Sequence, residues 1–163
     1  MLKDKVLAAL NAQINKEWFS EYLYLSMAAN MDTQGYHGLA HWLKVQAGEE
    51  HTHGDKIYKY ILDRCSTVKL MAIAEPQQAW KSPLEAFDAA YKHEQKISAS
   101  INEILELAMA EKDYATVNFL QWFVAEQVEE ESQTAEIVQT LQMAGASVGG
   151  IFALDHHLGH RGK

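Results

Sequence analysis

The sequence predicts an all-α protein: a four-helix bundle with one long crossover between helices two and three and a short fifth helix at the C-terminus. Three observations predict it. Apolar residues recur at helical spacing through four long segments. Prolines number only two, Pro76 and Pro83, so most of the chain is free to be helical. The links between the four segments run short, long, short, which is the connectivity of a bundle with one crossover.

The first segment runs from about Asp4 to Thr33, with Leu7, Leu10, Ile14, Tyr24, Ala28 and Met31 on one face, and Gly35 breaks it. The second runs from about Tyr36 to Arg64, with Leu39, Leu43, Ile57 and Tyr60 on its stripe. Between Arg64 and Pro83 lies a long linker, Cys65 to Ser82. Extended at ~3.3 Å per residue it spans ~59 Å, whereas a helix of about 28 residues is only ~42 Å long. This linker can travel the whole bundle, so helices two and three can run parallel. The third segment opens with Ser82-Pro83-Leu84-Glu85, a capping box with proline at the first helical position. Its stripe is Leu84, Phe87, Tyr91, Ile101, Leu105 and Ala108. The fourth begins after Asp113, a natural N-cap, and runs to Met143 before Gly145, carrying Leu120, Phe123, Ile137 and Leu141. A short fifth helix fits Val148 to His157. Residues 1–145 thus form the bundle, and 146–163 a short helix and tail packed on or near the same domain.

A length of 163 residues suits one domain with one substantial core. The net charge of −8 argues against a general nucleic-acid binder, which needs a basic surface, and suits a protein that attracts cations. Cys65 is the only cysteine, which rules out an intramolecular disulfide and any cysteine-based zinc or iron–sulfur site. Met1-Leu2-Lys3-Asp4-Lys5 does not open an apolar signal segment, and no stretch approaches the ~20 apolar residues of a membrane span. The expected location is a reducing cytoplasm, without membrane attachment.

Each apolar stripe is interrupted near its midpoint by residues that resist burial: Glu17, then Glu50 and His53, then Glu94, then Gln127 and Glu130. Glu17, Glu50, Glu94 and Glu130 each lie a heptad step from an apolar stripe residue on either side, so all four stay on the inward face. In a bundle of nearly equal helices these midpoints meet at one height. A buried salt-bridge network would need cations, yet the positions three and four away from all four glutamates contain no lysine or arginine. The whole run from Asp113 through His160 contains none either. Unpaired buried carboxylates cost several kcal/mol each, so a bound metal pair is the expected partner. Glu50-x-x-His53 puts both donors on one helical face. The spacing repeats: Glu17 precedes Glu50-x-x-His53 by the same interval at which Glu94 precedes Gln127-x-x-Glu130. Glutamine and glutamate in the second half make the two metal positions unequal. Oxygen-rich, imidazole-poor ligation favours iron or manganese, with zinc as a competitor.

These residues carry a family resemblance. Glu17, Tyr24, Glu49-Glu50-x-x-His53, Glu94 and Glu126-Gln127-x-x-Glu130, within Leu120-Gln121-Trp122-Phe123-Val124-Ala125-Glu126, closely resemble the bacterial non-haem ferritins over essentially the whole length. The resemblance implies a ferritin-like shell of 24 subunits that stores iron. It would act as a ferroxidase, oxidising Fe(II) with O2 or H2O2 and keeping ferric mineral inside. It implies that Glu17, Glu50 and His53 hold one iron, that Glu94 and Glu130 hold a second with Glu50 bridging, and that Gln127 sits beside the pair. It also implies that Tyr24 hydrogen-bonds a carboxylate of the site. A third iron position would use Glu49, Glu126, Glu129 and shared Glu130; a solvated acidic helix face is the open alternative for these residues. Haem is not expected, because His51 stands where the bacterioferritins carry a methionine. The chain also lacks the basic N-terminal tail of the DNA-protecting mini-ferritins.

Other features admit plainer readings. His156, His157 and His160 suit a solvated tail more readily than a metal site. Trp18, Trp42, Trp80 and Trp122 suit packing or interfaces. By the same resemblance, Val68 to Ile73 would pair with its counterpart on a neighbouring subunit. Two rival functions remain beside iron storage: a stand-alone di-iron oxidase or peroxidase without a cage, and a structural bundle with a vestigial site.

Overall fold

The computed structural model describes residues 1–162 and contains five helices, with no strand among those residues. They are α1 (Asp4–Thr33), α2 (His37–Asp63), α3 (Pro83–Ala110), α4 (Tyr114–Ala144) and α5 (Val148–Leu158). Local chemistry sets the boundaries. Ser82 Oγ accepts from Glu85 N at 3.2 Å, and Glu85 Oε2 accepts in turn from Lys81 N at 2.7 Å, one residue upstream of the N-cap itself. Asp113 caps α4 by accepting from Thr116 N at 3.2 Å. Gly35, at φ 88°, turns the chain between α1 and α2 in a conformation that favours glycine.

The predicted stripes hold with small shifts in phase. Leu84 is 36% exposed; Pro83, Ala86 and Phe87 take the inward positions of that first turn. Leu7 and Tyr91 are half-buried, and Val6 lies fully inside one turn before Leu10.

The crossover runs the length of α1, in step with it. Ser66 Oγ accepts from Leu2 N, Thr67 O from Asn11, Met71 and Ala72 O from Asn15, Gln77 O from Ser26, and Trp80 O from Gln34. The segment therefore starts where α1 starts and ends where α1 ends, and α3 must run antiparallel to α1. The side-chain pairs agree: Gln13 and Lys16 meet Ser100, while Ser20 meets His93. Likewise Gln46 meets Glu130 and Arg64 meets Asp113, so α2 and α4 are antiparallel.

The apolar core is split in two. One cluster joins Tyr24, Met27 and Met31 of α1 to Leu39 and Leu43 of α2, Phe87 of α3 and Leu141 of α4. The other joins Leu10 and Ile14 to Ile57, Ile101, Leu120 and Phe123. Between them, at mid-height on every helix, lies the polar layer. Beyond the bundle, α5 packs on α2 and α4, and Asp155 Oδ1 accepts from Leu39 N at 2.8 Å in the first turn of α2.

Candidate metal centre

Each helix presents its mid-height donors by helical phase alone, and neighbouring side chains then fix their orientation. On α1, Glu17 Oε1 accepts from Gln13 Nε2 at 2.8 Å, one turn earlier. On α2, Glu50 Oε1 accepts from Gln46 Nε2 at 3.0 Å, again one turn earlier. The same Gln46 Nε2 donates to Glu130 Oε2 on α4 at 2.6 Å, so one amide links two of the carboxylates. His53 Nδ1 lies 3.4 Å from Glu50 Oε2, with the edges of Trp122 and Phe123 against its ring. On α3, Glu94 Oε1 accepts from the Tyr24 hydroxyl, and Glu94 Oε2 accepts from Gln127 Nε2 at 3.1 Å. Gln127 also lines a recess of about 130 Å³ between α3 and α4, together with Ser98 and Glu131.

Glu17, Glu50, His53, Glu94 and Glu130 are each no more than 2% exposed. Burial, and then the charge of Glu50, lifts the Glu17 carboxyl to about 8. Burial, and then Glu94, does the same to Glu130, also to about 8. Burial and the charges of Glu94 and Glu130 push Glu50 well above the usual carboxylate range. Glu94 is raised by burial despite the hydrogen bonds from Tyr24 and Gln127. Tyr24 is itself pushed well above its ordinary value by burial and by Glu94, so it stays a hydroxyl donor. Among the described residues no lysine or arginine forms an ion pair with Glu17, Glu50, Glu94 or Glu130. Glu17 Oε2 is buried with no hydrogen-bond partner at all. A buried acceptor left open among mutually repelling carboxylates is an arrangement that a multivalent cation completes.

The donors are close enough to share one. Single ligand atoms of Glu17, Glu50 and His53 all lie within 4.8 Å of one another, and so do those of His53, Glu126 and Glu130. The remaining members of the expected third position are engaged elsewhere. Glu49 Oε2 is 2.6 Å from Arg161 Nη2, and Glu129, on an exposed face, accepts from Gln133 Nε2 at 2.8 Å. The tail histidines make no three-donor group among the described residues. Instead, His160 Nδ1 donates to His156 O at 2.8 Å.

Sequence reasoning missed Gln13 and Gln46, both fully buried. A signal was present: they are separated by the interval that also separates Glu17 from Glu50, each four positions before a central glutamate. It also missed His93, whose Nε2 is 2.7 Å from Ser20 Oγ. Burial, helped by Lys96, lowers the His93 ring to about 4 and keeps it neutral beside the site.

A family model described as a ferritin-like domain matches residues 7–144. The chain is 40% identical over 160 residues to a probable bacterial non-heme ferritin-like protein of Haemophilus influenzae, covering 98% of this chain and 97% of that protein. It is 40% identical over 161 residues to a bacterial non-heme ferritin of Bacteroides fragilis, covering 99% and 100%. Among solved structures, an open-pore ferritin from the hyperthermophilic archaeon Archaeoglobus fulgidus superposes with a TM-score of 0.98 at 45% identity, covering 99% of both chains.

Proposed function

The chain belongs to the ferritin-like family, and on that premise we propose that it takes up Fe(II), oxidises it at the buried centre and stores the ferric product within a shell of its own copies. The observation that carries this reading is the convergence of four buried carboxylates and one imidazole, with no lysine or arginine paired to those carboxylates among the described residues. An oxygen-rich donor set of this kind suits iron or manganese.

In this reading iron is the substrate. Glu17, Glu50 and His53 hold one ion, and Glu94 and Glu130 hold the other, with Glu50 between them. Each Fe(II) gives up one electron. Two electrons and two protons convert one O2 to H2O2, or one H2O2 to two waters. The carboxylates neutralise the added charge on Fe(III). Tyr24 and Gln127 hold Glu94 in place, and Gln46 ties Glu50 to Glu130 through one amide nitrogen. Glu126 and Glu129 supply acidic groups through which the ferric product leaves the pair.

Self-assembly is supported by the apolar side chains left on one outer face: Tyr22 and Leu25 of α1, with Leu70, Met71 and Ile73 of the crossover. A 24-subunit shell of 18.4 kDa chains has a mass of ~440 kDa. Residues Val68 to Ile73 would contact a second copy there.

Aerobic stopped-flow oxidation of Fe(II) by Glu50→Ala and His53→Ala tests the reading. Each variant should lose at least about tenfold in initial rate, comparable to removal of a ligand or its support in other metal sites, with helical circular dichroism retained. Unchanged oxidation rates in both variants would reject the assignment.

A further inference from the structure

We propose that Arg161 is a tethered cation that occupies the Glu49 carboxylate and, through Gln46, orients the two carboxylates it bridges, so that the C-terminal tail decides whether a third metal ion binds beside the buried pair. This rests on the di-iron reading given above and adds a positioning residue to it.

The tail is built to deliver this residue. Gly38 has no side chain where the backbone carbonyl of Asp155 passes, so α5 lies directly against the start of α2. Beyond α5, His41 Nε2 sits 2.9 Å from the Arg161 carbonyl oxygen. A carbonyl only accepts, so this ring nitrogen carries the proton and pins the backbone of Arg161. The guanidinium then lies over the Trp42 ring, 4.3 Å from its centre. Nη2 meets Glu49 Oε2 at 2.6 Å and Nη1 donates to Gln46 Oε1 at 2.9 Å. Its side chain is 17% exposed, against 43% for Glu49.

Gln46 has no freedom left once Arg161 is in place. Its oxygen accepts from the guanidinium, and its nitrogen donates to Glu50 Oε1 at 3.0 Å and Glu130 Oε2 at 2.6 Å. With metal at the pair and both carboxyls ionised, turning the amide over would point its oxygen at two carboxylates and its N–H groups at a cation. Without Arg161 only the first of these penalties remains. Arg161 therefore acts on the buried pair across one intervening side chain.

The second limb is competition. An ion beside the pair would draw on Glu126 and Glu130, whose donors already lie together with His53, and on Glu49, whose charge bears on Glu130. A carboxylate held by a guanidinium is not free to bind that ion. Arg161 is thus a built-in competitor, and displacing it opens the third position.

Calorimetric titration of metal-free protein with Zn(II), a redox-inert probe, at neutral pH tests both limbs. Wild-type protein should bind two equivalents tightly. Arg161→Gln should bind a third at least tenfold more tightly than wild type does, and Arg161→Lys, which keeps a cation for Glu49, should not. Adding Glu49→Gln to Arg161→Gln should abolish the gain. Superimposable isotherms for wild type and Arg161→Gln, or a gain that survives without Glu49, would overturn the competition. Co(II) bound at the pair reports the Gln46 limb: its visible bands should shift in Arg161→Gln, and unchanged bands would reject that limb. Glu50→Ala, run in parallel, should lose the tight equivalents. If it binds as wild type does, the buried-pair reading itself fails, whatever Arg161→Gln shows.

Discussion

Burial lifts Glu17 and Glu130 to about 8, so at neutral pH metal-free protein holds protons there that an incoming metal would displace. Titrating Zn(II) into metal-free protein at pH 7, in buffers of different ionisation heat, should release at least two protons per pair of ions bound, since Glu50 too is held well above the usual carboxylate range. At pH 9 the release should be smaller, because Glu17 and Glu130 have already ionised. The same shift governs stability. The folded value for Glu17 is raised above the ordinary 4.5, so its contribution is fully present below pH 4.5 and is lost as pH rises through about 8. Glu17→Gln removes the titration while still offering an acceptor to Gln13. It should stabilise metal-free protein by about 1–3 kcal/mol at pH 7 and add nothing below pH 4.5, as read from denaturant midpoints. It should also lose the first metal position. A residue whose neutral isostere folds better is retained for binding rather than stability. Glu17, Glu50, Glu94 and Glu130 were all legible in the sequence, because a heptad step from apolar neighbours fixes the face on which a side chain emerges. Gln46 was legible only as a spacing, since an amide in a helix carries no sign of which groups it will bridge.

The ends of the helices, at the next scale, are secured by contacts of two kinds. Asp113 caps α4 and also receives both arms of Arg64 from the end of α2, at 3.1 and 3.2 Å. Burial acts to raise its carboxyl, but the hydrogen bonds from Arg64 and Thr116 prevail and hold it below its ordinary value. That contribution is present above pH 3.8 and is lost as pH falls through the lowered value. Asp113→Ala should cost about 1–2 kcal/mol at pH 7, the range for a lost cap, with the denaturant midpoint as the measurement. Gly38→Ala tests a different contact. The added methyl would collide with the Asp155 carbonyl, so hydrogen exchange should show protection lost in α5 and kept in α1–α4. The caps at Ser82 and Asp113 could be read directly, since capping is a matter of three or four adjacent residues. The exposure of Leu84 could not, because in a first helical turn the neighbouring elements decide which of two adjacent apolar residues points inward.

Across the whole molecule, one polar layer divides the core into two apolar clusters, and a single chain brings the residues of the candidate centre together. On the proposed reading, iron oxidation and storage are therefore separable. Wild-type protein should elute at ~440 kDa. Charges placed on the exposed apolar face, as in Leu25→Arg with Ile73→Glu, should give small species that still oxidise Fe(II) but let the ferric product precipitate. Native mass and iron retained per particle are the readouts. The crossover shows how far sequence reached at this scale. From Cys65 to Ser82 it was long enough to span the bundle, whereas its track along α1 depends on Asn11, Asn15 and Gln34 reaching its carbonyls, 46 to 57 positions away. The four helices, the antiparallel hairpins and the inward phase of the four central glutamates can be read from the chain alone, because each follows from backbone geometry over a few turns or from the length of a link. That Arg161 lies on Glu49 and Gln46, 112 and 115 positions away, emerges only in the folded chain. A cation at the end of a chain carries no periodicity; its partner is set by where α5 comes to rest, and that is fixed by Gly38 and Asp155 meeting across the fold.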